Sequence, residues 1–489
     1  MPVRTETTFE TVIGLEVHAQ LLTRSKMYCG CSAEYADAPP NTHVCPVCAG
    51  LPGALPVTNR RAIEYVILTG LALSCRIPGF CKLDRKNYVY PDLPKGYQIS
   101  QYDLPLCVDG SLTFESGGKE RRCGITRVHV EEDTGRLVHV ADAAARSVSL
   151  VDLNRSGVPL MEIVGEPDLR SPEEARDYLI ALRQIVRYIG ASTGNMEEGA
   201  FRCDANISIR SSDGKLVGSK VEIKNMNSFR AVERALRHEG ERQRDVLTRD
   251  GAVMQETRGW VEARGVTVAQ RTKERAHDYR YFPEPDLPPL NVDDTLVVRI
   301  RNSMPELPAA RANRFVATFG LSRADSRVLT VERGVADYFE EVVGDGQTQK
   351  SAQTTANWIQ NDLFGLQRER GLPPDHLPVS VAQLRDLLEA VEAGELTGRA
   401  AKELLPRIQE GEMPRAAAAR LNLLSLDDDA TLRSAVAETM AAFPRAVDDY
   451  RSGKTAAIGR LIGETIRRTG GRARPDAVRE MLEATLRES

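Results

Sequence analysis

The chain has 489 residues, of which 42% are hydrophobic and 27% are charged, and its formal net charge is −4. Such a length predicts about three domains, and the composition is typical of a soluble globular protein. The net charge excludes a general attraction to nucleic acid, so contact with a polyanion would require a local basic patch. The aromatic content of 5% argues against a surface built on base stacking. The sequence shows no basic leader and no apolar run of membrane length, which predicts a cytoplasmic protein without a membrane span.

The first predicted element is a strand over residues 12–21, in which apolar and polar residues alternate. The odd positions from Ile13 to Leu21 are apolar, and the even positions include Glu16, His18 and Gln20. Successive side chains of a strand point to opposite faces, so Glu16 and His18 should project together from one side of a sheet.

Four cysteines follow this strand in two closely spaced pairs, Cys29 with Cys31 and Cys45 with Cys48, separated by thirteen residues. This spacing is typical of a tetrahedral zinc site, although four cysteines can also fall close together without binding metal. Four thiolates would fill the coordination sphere and leave no position for a substrate, which favours a structural zinc ion. The other five cysteines are scattered, a pattern that fits a reducing compartment better than a disulfide framework.

Three further segments, residues 125–133, 201–210 and 220–224, repeat the alternation of the first strand. A polar face on a single strand is most often the solvent side of a half-exposed sheet. Four strands that each place histidine, carboxylate or basic side chains on one face suggest instead a divalent ion held beside phosphate groups. The polar positions are Arg127, His129, Glu131 and Asp133, then Arg202, Asp204, Asn206, Ser208 and Arg210, and finally Lys220, Glu222 and Lys224.

The succession of patterns predicts an α+β domain over residues 1–294 and two small all-α domains at residues 295–408 and 409–489. Within the first domain, residues 172–189 are predicted to be helical. The proline-rich segment 279–289 is predicted to lack regular structure.

The last helical domain has a local excess of basic residues, because residues 451–479 contain eight Lys or Arg against two Asp or Glu. Such a run is either a solvated helix face or a patch that contacts nucleic-acid phosphates. The candidate phosphate-contacting residues are Lys454, Arg460, Arg467, Arg468, Arg472 and Arg474.

Several short segments occur in a combination that is specific to one family. They are residues 12–18, 84–88, 97–101, 131–133, 150–155, 202–206 and 279–289. On these segments the chain resembles the GatB family, the GatB subunit of the aspartyl/glutamyl-tRNA(Asn/Gln) amidotransferase. The first two-thirds of the chain carry the closest part of the resemblance, and the last helical domain is similar mainly in layout.

The resemblance implies a ligase of protein biosynthesis that converts mischarged Asp-tRNA(Asn), Glu-tRNA(Gln) or both to the amidated forms. ATP would convert the side-chain carboxylate to an acyl phosphate, and ammonia would then displace phosphate. The family also implies a heterotrimer whose other members are a glutamine amidase and a small third subunit, with tRNA rather than DNA as the nucleic-acid partner. The sequence itself lacks the Ser- and Gly-rich cluster of an amidase. The implied fold of the first domain is an antiparallel cradle similar to the catalytic sheet of glutamine synthetase.

The resemblance also implies roles for individual residues. Glu16 and His18 would be magnesium ligands, with Glu131 or Glu132 and Asp204 completing the site, and Glu222 would be a further catalytic candidate. The residues implied to contact the nucleotide phosphates are Arg202, Lys220, Lys224 and Asn206. Five residues are implied to line a path for ammonia: Lys86, Tyr90, Lys95, Tyr97 and Gln98. A role in ordinary packing is an equally open interpretation of these five residues.

A second hypothesis from another class is a non-catalytic adaptor that binds tRNA and contains a zinc staple. In that case the acidic strand faces would be ordinary surface. Glu16, His18 and Asp204 distinguish the two hypotheses, because only the enzyme needs them for turnover.

Overall fold

The computed structural model describes residues 9–141, 147–211, 217–272, 279–344, 348–426 and 428–488. The chain divides into two compact units, Met1–Leu307 and Pro308–Ser489. The first unit extends beyond residue 294 because the helix Asp294–Asn302 contributes Ile300 to its core. The three-domain division at residues 294 and 408 stays a prediction.

An eight-stranded sheet is the centre of the first unit, in the order β13-β12-β11-β10-β1-β9-β6-β5. Neighbouring strands are antiparallel except for the parallel pair β11 and β12, so the mixed α/β architecture with a mainly antiparallel sheet is confirmed. The strands are β1 (Phe9–Gln20), β2 (Phe80–Cys81), β3 (Asp84–Asn87), β4 (Tyr97–Ser100), β5 (Cys107–Ser116), β6 (Lys119–Glu132), β7 (Arg136–Ala141), β8 (Ser147–Asp152), β9 (Pro159–Gly165), β10 (Phe201–Ser211), β11 (Val221–Lys224), β12 (Glu256–Val261), β13 (Val266–Thr272), β14 (Phe282–Pro283) and β15 (Leu290–Asn291).

One face of this sheet is apolar and forms the core, as the alternation in β1 predicts. Ile13, Leu15, Val17 and Ala19 are buried, whereas Glu16, His18 and Gln20 on the other face are only partly buried. The core is shared with helices, which are α1 (Arg60–Ala72), α2 (Pro172–Tyr188), α3 (Phe229–Thr248) and α4 (Asp294–Asn302).

The helix predicted at residues 172–189 is confirmed as α2, and its start is locally encoded. The Ser171 side chain accepts a hydrogen bond from the backbone N–H of Glu174, which caps the first turn. Pro172 occupies the first turn, where its missing N–H costs nothing, and Glu173 and Glu174 complement the helix dipole.

The segment 279–289 is more regular than its prolines suggest, because it contributes β14, which pairs with β3. A bidentate ion pair fixes this arrangement: Arg85 Nε and Nη2 donate to the Glu284 carboxylate at 2.7 and 2.8 Å. The prediction that this segment lacks regular structure was therefore wrong at Phe282 and Pro283. The edge of β3 accepts a proline-containing strand of two residues, which needs few ladder hydrogen bonds.

The described residues of the second unit form helices and turns, and they pack around two separate apolar cores. One core includes residues from Phe315 to Leu423, and the other includes residues from Leu432 to Leu486. None of the helices in the described parts of the chain is both long and apolar enough to cross a membrane. The helices are α5 (Pro308–Phe319), α6 (Arg323–Leu329), α7 (Arg333–Val343), α8 (Gln349–Trp358), α9 (Phe364–Glu369), α10 (Val381–Glu392), α11 (Gly398–Leu404), α12 (Pro414–Arg420), α13 (Asp429–Ala442), α14 (Pro444–Arg451), α15 (Ile458–Arg468) and α16 (Pro475–Glu488).

Candidate active site

The polar face of the large sheet forms the floor of a cavity of about 500 Å³. Strand register builds this floor: His129 of β6, Glu162 of β9, His18 of β1 and Arg202 of β10 lie directly beside one another in one row. Side chains aligned across neighbouring strands project from the same face, so the row places acidic and basic groups together. We call this cavity the acid pocket; its acidic residues are Glu16, Glu131, Asp133, Glu162, Asp204 and Glu222.

His18 is held between two carboxylates at the centre of the acid pocket. Its Nε2 atom lies 3.5 Å from Glu131 Oε1 and 3.5 Å from Glu162 Oε2. On the other side of Glu162, His129 Nε2 lies 3.3 Å from the same Oε2 atom. Both carboxylates and His129 are buried, so these charges interact through protein rather than through bulk water.

The charges around His18 and Glu162 favour the cationic form of His18 and the ionised form of Glu162. Burial opposes the cationic form of His18, but its hydrogen bond with Glu162 and the charges of Glu162, Glu131 and Asp204 raise its pKa to about 9. Burial likewise opposes ionisation of Glu162, but His129 and His18 lower the pKa of that carboxyl well below its ordinary value. The pocket therefore holds an ionised carboxylate between two imidazoles.

His18, Glu131 and Glu162 fit a divalent metal ion. One ligand atom from each lies within 4.8 Å of the others, a spacing that one ion could span. Carboxylate oxygens with few protein ligands suit Mg²⁺, which usually keeps water or phosphate oxygens in its remaining positions. To serve as a ligand, His18 would have to release the proton that the neighbouring carboxylates hold on it.

Glu16 and Asp204, both predicted to be magnesium ligands, lie in the same cavity but have other partners. Asn206 Nδ2 donates a hydrogen bond of 2.9 Å to Glu16 Oε1, and Lys224 Nζ donates one of 2.6 Å to Asp204 Oδ2. Asn206, predicted to contact the nucleotide, therefore touches a carboxylate of the pocket floor. The structure brings Glu16 and Asp204 into the same cavity as His18, Glu131 and Glu162 but not into that group of three possible ligands.

The cationic side chains of the acid pocket come from four elements: Lys86 from β3, Arg127 from β6, Arg202 from β10 and Lys224 from β11. Arg202 Nη2 donates to Asp133 Oδ1 at 3.0 Å. Burial opposes ionisation of Asp133, but the charges of Arg202 and Arg155 lower the pKa of that carboxyl. Burial also opposes the charge of Lys86 and Lys224, but nearby carboxylates hold the pKa of each lysine above its ordinary value. Lys220, by contrast, is exposed and does not line the cavity.

Glu132 does not join Glu131 in the acid pocket, because adjacent residues of β6 face opposite sides. Its carboxylate pairs with Lys95 Nζ and accepts a hydrogen bond of 3.0 Å from the backbone N–H of Ile99. Glu132 lines a second, smaller cavity of about 50 Å³, which we call the rear cavity, together with Tyr28, Cys29, Cys48, Lys95 and Tyr97.

The five residues implied to line an ammonia path are divided between these cavities. Lys86 and Gln98 line the acid pocket, whereas Lys95 and Tyr97 line the rear cavity. Tyr90 lines neither cavity and is 51% exposed.

Glu222 occupies the edge of the acid pocket, where Thr257 Oγ1 donates a hydrogen bond of 2.8 Å to its carboxylate.

Glu162 is the central residue that the sequence patterns do not reveal. It lies in β9, whose residues Pro159–Ile163 are all buried, so polar and apolar positions do not alternate there. The available signal is a lone carboxylate inside an otherwise apolar run, which needs a partner when buried.

The four predicted zinc ligands converge in a second place in the first unit. The Sγ atoms of Cys29, Cys31, Cys45 and Cys48 all lie within 4.8 Å of one another, and all nine cysteines of the chain are free. A hydrogen bond with Cys29 and other nearby donors lower the pKa of Cys48 to about 4, although burial alone would raise it. The donor set fits tetrahedral zinc, and we call it the cysteine cluster.

Lys26 is fully buried beside the cysteine cluster. Its ammonium donates to the backbone carbonyls of His43 at 2.7 Å and Leu153 at 3.2 Å, and it lies 3.7 Å from Cys48 Sγ. A buried ammonium is expensive unless its donors are satisfied, and here two carbonyls and a sulfur satisfy them. The lysine thus links the cysteine cluster to the turn between β8 and β9.

The basic residues of the last helical region lie on or beside α15, and most are exposed. Several have acidic partners in the same unit: Lys454 Nζ lies 2.8 Å from Asp449 Oδ1, and Arg468 Nη1 lies 3.3 Å from Glu438 Oε2. Arg467 pairs with Glu464, Arg472 Nη1 donates to Asn422 Oδ1 at 2.8 Å, and Arg460 lies over the Phe443 ring. Arg474 is exposed just before α16.

Together, the sheet, its pocket and the helical unit define a class of protein: an α+β domain with a convergent acidic and basic cavity, followed by helices. Residues 11–298 match the GatB/GatE catalytic domain, and residues 337–486 match the GatB domain. The chain belongs to the GatB family, which confirms the resemblance inferred from its sequence segments.

Curated relatives are similar over almost the whole chain. A protein of Thermomicrobium roseum is 59% identical over 98% of this chain and 99% of its own length. Proteins of Moorella thermoacetica and Roseiflexus sp. are 51% and 52% identical, covering 98% and 97% of this chain and 100% and 97% of their own lengths. All three are named as the B subunit of the aspartyl/glutamyl-tRNA(Asn/Gln) amidotransferase.

Proposed function

We propose that this chain carries the ATP-dependent amidation site of an aminoacyl-tRNA amidotransferase, and that the acid pocket is that site. The observation that carries the proposal is the trio of His18, Glu131 and Glu162 in a cavity that also contains Lys86, Arg202 and Lys224. Carboxylates that can hold a divalent ion beside several fixed cations are what phosphoryl transfer requires. The names of the relatives support the same reaction.

The reaction proceeds in two steps and needs no reactant beyond ATP, the mischarged tRNA and ammonia. The side-chain carboxylate of the mischarged Asp-tRNA or Glu-tRNA attacks the γ-phosphorus of ATP, an oxygen–phosphorus bond forms, and ADP leaves. Ammonia then attacks the acyl carbon, phosphate leaves and the amide remains after loss of a proton. Phosphorylation is necessary because a carboxylate is a poor electrophile whose leaving group would otherwise resemble hydroxide.

The residues of the acid pocket have separate roles in this chemistry. His18, Glu131 and Glu162 would hold Mg²⁺, which supplies Lewis-acid stabilisation of phosphate charge when bound. Lys86, Arg202 and Lys224 orient and neutralise phosphate oxygens, since all three remain cationic in the pocket. Asp204, which pairs with Lys224, and Glu16, which accepts a hydrogen bond from Asn206, help to hold Lys224 in its cationic form.

The fold of the first unit suits the cradle expected from glutamine synthetase, because a broad antiparallel sheet presents its polar face as one continuous floor. We propose that the chain works as the GatB subunit of a cytoplasmic heterotrimer. A partner glutamine amidase supplies the ammonia, and a small third subunit completes the assembly. Lys86 and Gln98 line the acid pocket, and we propose that they border the path by which ammonia reaches it. Zinc in the cysteine cluster is structural, since four thiolates leave no open position.

The test is conversion of mischarged tRNA by the assembled heterotrimer with ATP, Mg²⁺ and glutamine, using Asp-tRNA and Glu-tRNA in turn. We expect Glu16→Ala to lower amide formation by at least about 100-fold while tRNA affinity is retained, because the variant loses a pocket carboxylate that helps to hold Lys224 cationic beside the phosphate groups. The exposed residue Glu120 gives the matched control variant Glu120→Ala. Unchanged turnover in Glu16→Ala would favour the non-catalytic adaptor.

We further propose that the basic residues around α15 contact the tRNA backbone. The support is the excess of basic over acidic residues at 451–479 in an otherwise acidic chain. The double variant Arg460→Gln/Arg467→Gln should weaken tRNA binding several-fold and reduce the slope of log affinity against log salt by about one to two, because fewer counterions are released. An unchanged slope would identify the patch as a solvated helix face.

A further inference from the structure

Four tyrosines line the acid pocket beside its charged floor, and the mechanism above uses none of them. Tyr88 and Tyr102 follow β3 and β4, whereas Tyr279 and Tyr281 precede β14. The Tyr102 and Tyr281 rings are stacked, with centroids 4.5 Å apart and planes inclined by 11°. Tyr279 packs edge-to-face against Tyr281 at 6.1 Å and against Tyr88 at 6.0 Å. We call these four side chains the tyrosine wall.

The tyrosine wall is held in place by backbone and side-chain contacts on the β3–β4 hairpin. Asn87 Nδ2 donates to the carbonyls of Tyr279 and Arg280 at 3.1 and 2.9 Å. The buried Glu284 anchors the same segment to Arg85, and the Tyr88 hydroxyl donates to Gln98 Oε1 at 3.1 Å. A wall fixed before a ligand arrives loses little conformational freedom on binding, as a recognition surface requires.

Within the wall, Tyr102 has the most accessible ring. The residue is 47% exposed while lining the cavity, and Tyr281 covers one face of its ring. The Tyr279 ring already has Lys86 Nζ 5.2 Å from its centroid, and Tyr88 is partly buried. Packing alone does not explain an aromatic ring at the mouth of a charged cavity, because a core tyrosine would be covered on both faces. A flat ligand could continue the Tyr281–Tyr102 stack.

We propose that the tyrosine wall binds an adenine ring by stacking on Tyr102. The inference rests on the proposed function, which supplies two adenine-bearing substrates: ATP and the 3′-terminal adenosine of the mischarged tRNA. Either adenosine has its reacting group at a distance from the base. Stacking at the mouth would therefore direct a phosphate or an aminoacyl carboxylate towards His18 on the floor and Lys86 on β3 in the same cavity. Aromatic stacking is tolerant of sequence and suits a base that is shared by all substrates.

The experiment compares three variants in the complete heterotrimer. Tyr102→Leu removes the aromatic face, Tyr102→Phe keeps it and removes only the hydroxyl, and Phe80→Leu is a matched control at an aromatic residue that lies outside the cavity and is 49% exposed. In the nucleotide arm, the KM for ATP and the inhibition constants of ADP and pyrophosphate are measured. In the tRNA arm, the KM is measured for mischarged tRNA.

We expect Tyr102→Leu to raise one of the two KM values about tenfold, with kcat nearly unchanged, and Tyr102→Phe and Phe80→Leu to behave like the parent. If ATP is the source of adenine, the inhibition constant of ADP rises with its KM while that of pyrophosphate, which has no base, stays constant. If the tRNA terminus is the source, only the KM for tRNA rises.

Three results would overturn the inference: neither KM changes, Tyr102→Phe is as impaired as Tyr102→Leu, or both KM values rise together with a loss of kcat, as general distortion of the pocket would produce. Each result requires an active parent heterotrimer. A parent that forms no amide from either mischarged tRNA would instead contradict the proposed function, so the two failures are distinguishable.

Discussion

The acid pocket and the cysteine cluster both gather side chains that bind metals, but their surroundings differ. The cysteine cluster has four identical donor types, and a fully buried lysine lies against one of its sulfur atoms. The acid pocket is a cavity of about 500 Å³ that combines imidazole and carboxylate donors with fixed cations. The comparison indicates that an incomplete ligand set with open space and mixed charge around it, rather than metal-binding side chains alone, marks where a substrate can react.

The two regions lie on opposite sides of one strand. Glu131 of β6 faces the acid pocket, and the next residue, Glu132, faces the rear cavity beside Cys48. Gly157 packs between the cysteine cluster and Glu132, since a Cβ atom there would be within 3.8 Å of Lys26, Cys48 and Glu132. The cysteine cluster can therefore support the geometry of the acid pocket without contributing to its chemistry.

The strongest test of this difference is Glu162→Gln. The amide keeps the size of the side chain but removes the charge that lies between His18 and His129. We expect amide formation to fall by about 10³-fold, because the proposed magnesium site would lose a carboxylate ligand and with it the stabilisation of phosphate charge. Single-turnover formation of ADP with mischarged tRNA measures the step directly. Retention of more than a tenth of the parent rate would remove Glu162 from the site.

Adjacent residues of β6 provide the next comparison. Glu131→Gln should lower amide formation by about 100-fold with little change in stability, since the side chain lines the acid pocket and His18 keeps Glu162 as a carboxylate partner. Glu132→Gln should do the opposite: turnover per folded molecule changes only a few-fold, whereas the free energy of unfolding falls by about 3 kcal/mol, because Lys95 loses its buried partner. Denaturant unfolding and initial rates on the same preparations separate the two effects. Equal kinetic defects in both variants would mean that the regions are not functionally distinct.

The pairing of strands in the large sheet shows what the sequence can and cannot predict. The alternation in β1, β6 and β10 correctly predicts which residues face the polar side, as it does for Glu222 and Lys224 of β11, because the apolar positions pack into the core. Lys220 is the exception, since it lies before β11 and is exposed. It does not predict that β9 lies between β1 and β6, since strand order in the sheet does not follow order in the chain. Glu162 is missed for a second reason as well. The strand β9 is central and mostly buried on both faces, so polar and apolar residues do not alternate along it.

The aromatic content gives a similar lesson. A value of 5% suggests no stacking surface, yet four tyrosines from two distant segments of the chain meet at one cavity. Composition averages over the whole chain, whereas binding depends on local density. The cysteine cluster, in contrast, is readable from sequence because its four ligands lie within twenty residues.

Removal of zinc should change stability more than chemistry. After chelation and restoration of Mg²⁺ alone, we expect the unfolding midpoint of the protein to fall by about 5–10 °C, because metal binding contributes directly to folding free energy. Amide formation below the new midpoint should fall only a few-fold. Thermal unfolding and turnover at about 20–25 °C measure the two quantities, with metal content determined in parallel. Loss of turnover comparable to that of Glu162→Gln would assign the cysteine cluster a chemical role.

Lys26→Met is the mildest test, and it separates zinc retention from catalysis most cleanly. Methionine fills similar space but removes the charge beside Cys48 and the donors to His43 and Leu153. We expect zinc affinity, measured by competition with a chromogenic chelator, to fall about tenfold, as is typical when a residue that supports a metal ligand is lost. Turnover of the zinc-loaded heterotrimer should change less than twofold. Lys119→Met, at the exposed start of β6, is the matched control. If Lys26→Met retains zinc as well as this control does, the buried ammonium serves only the two backbone carbonyls.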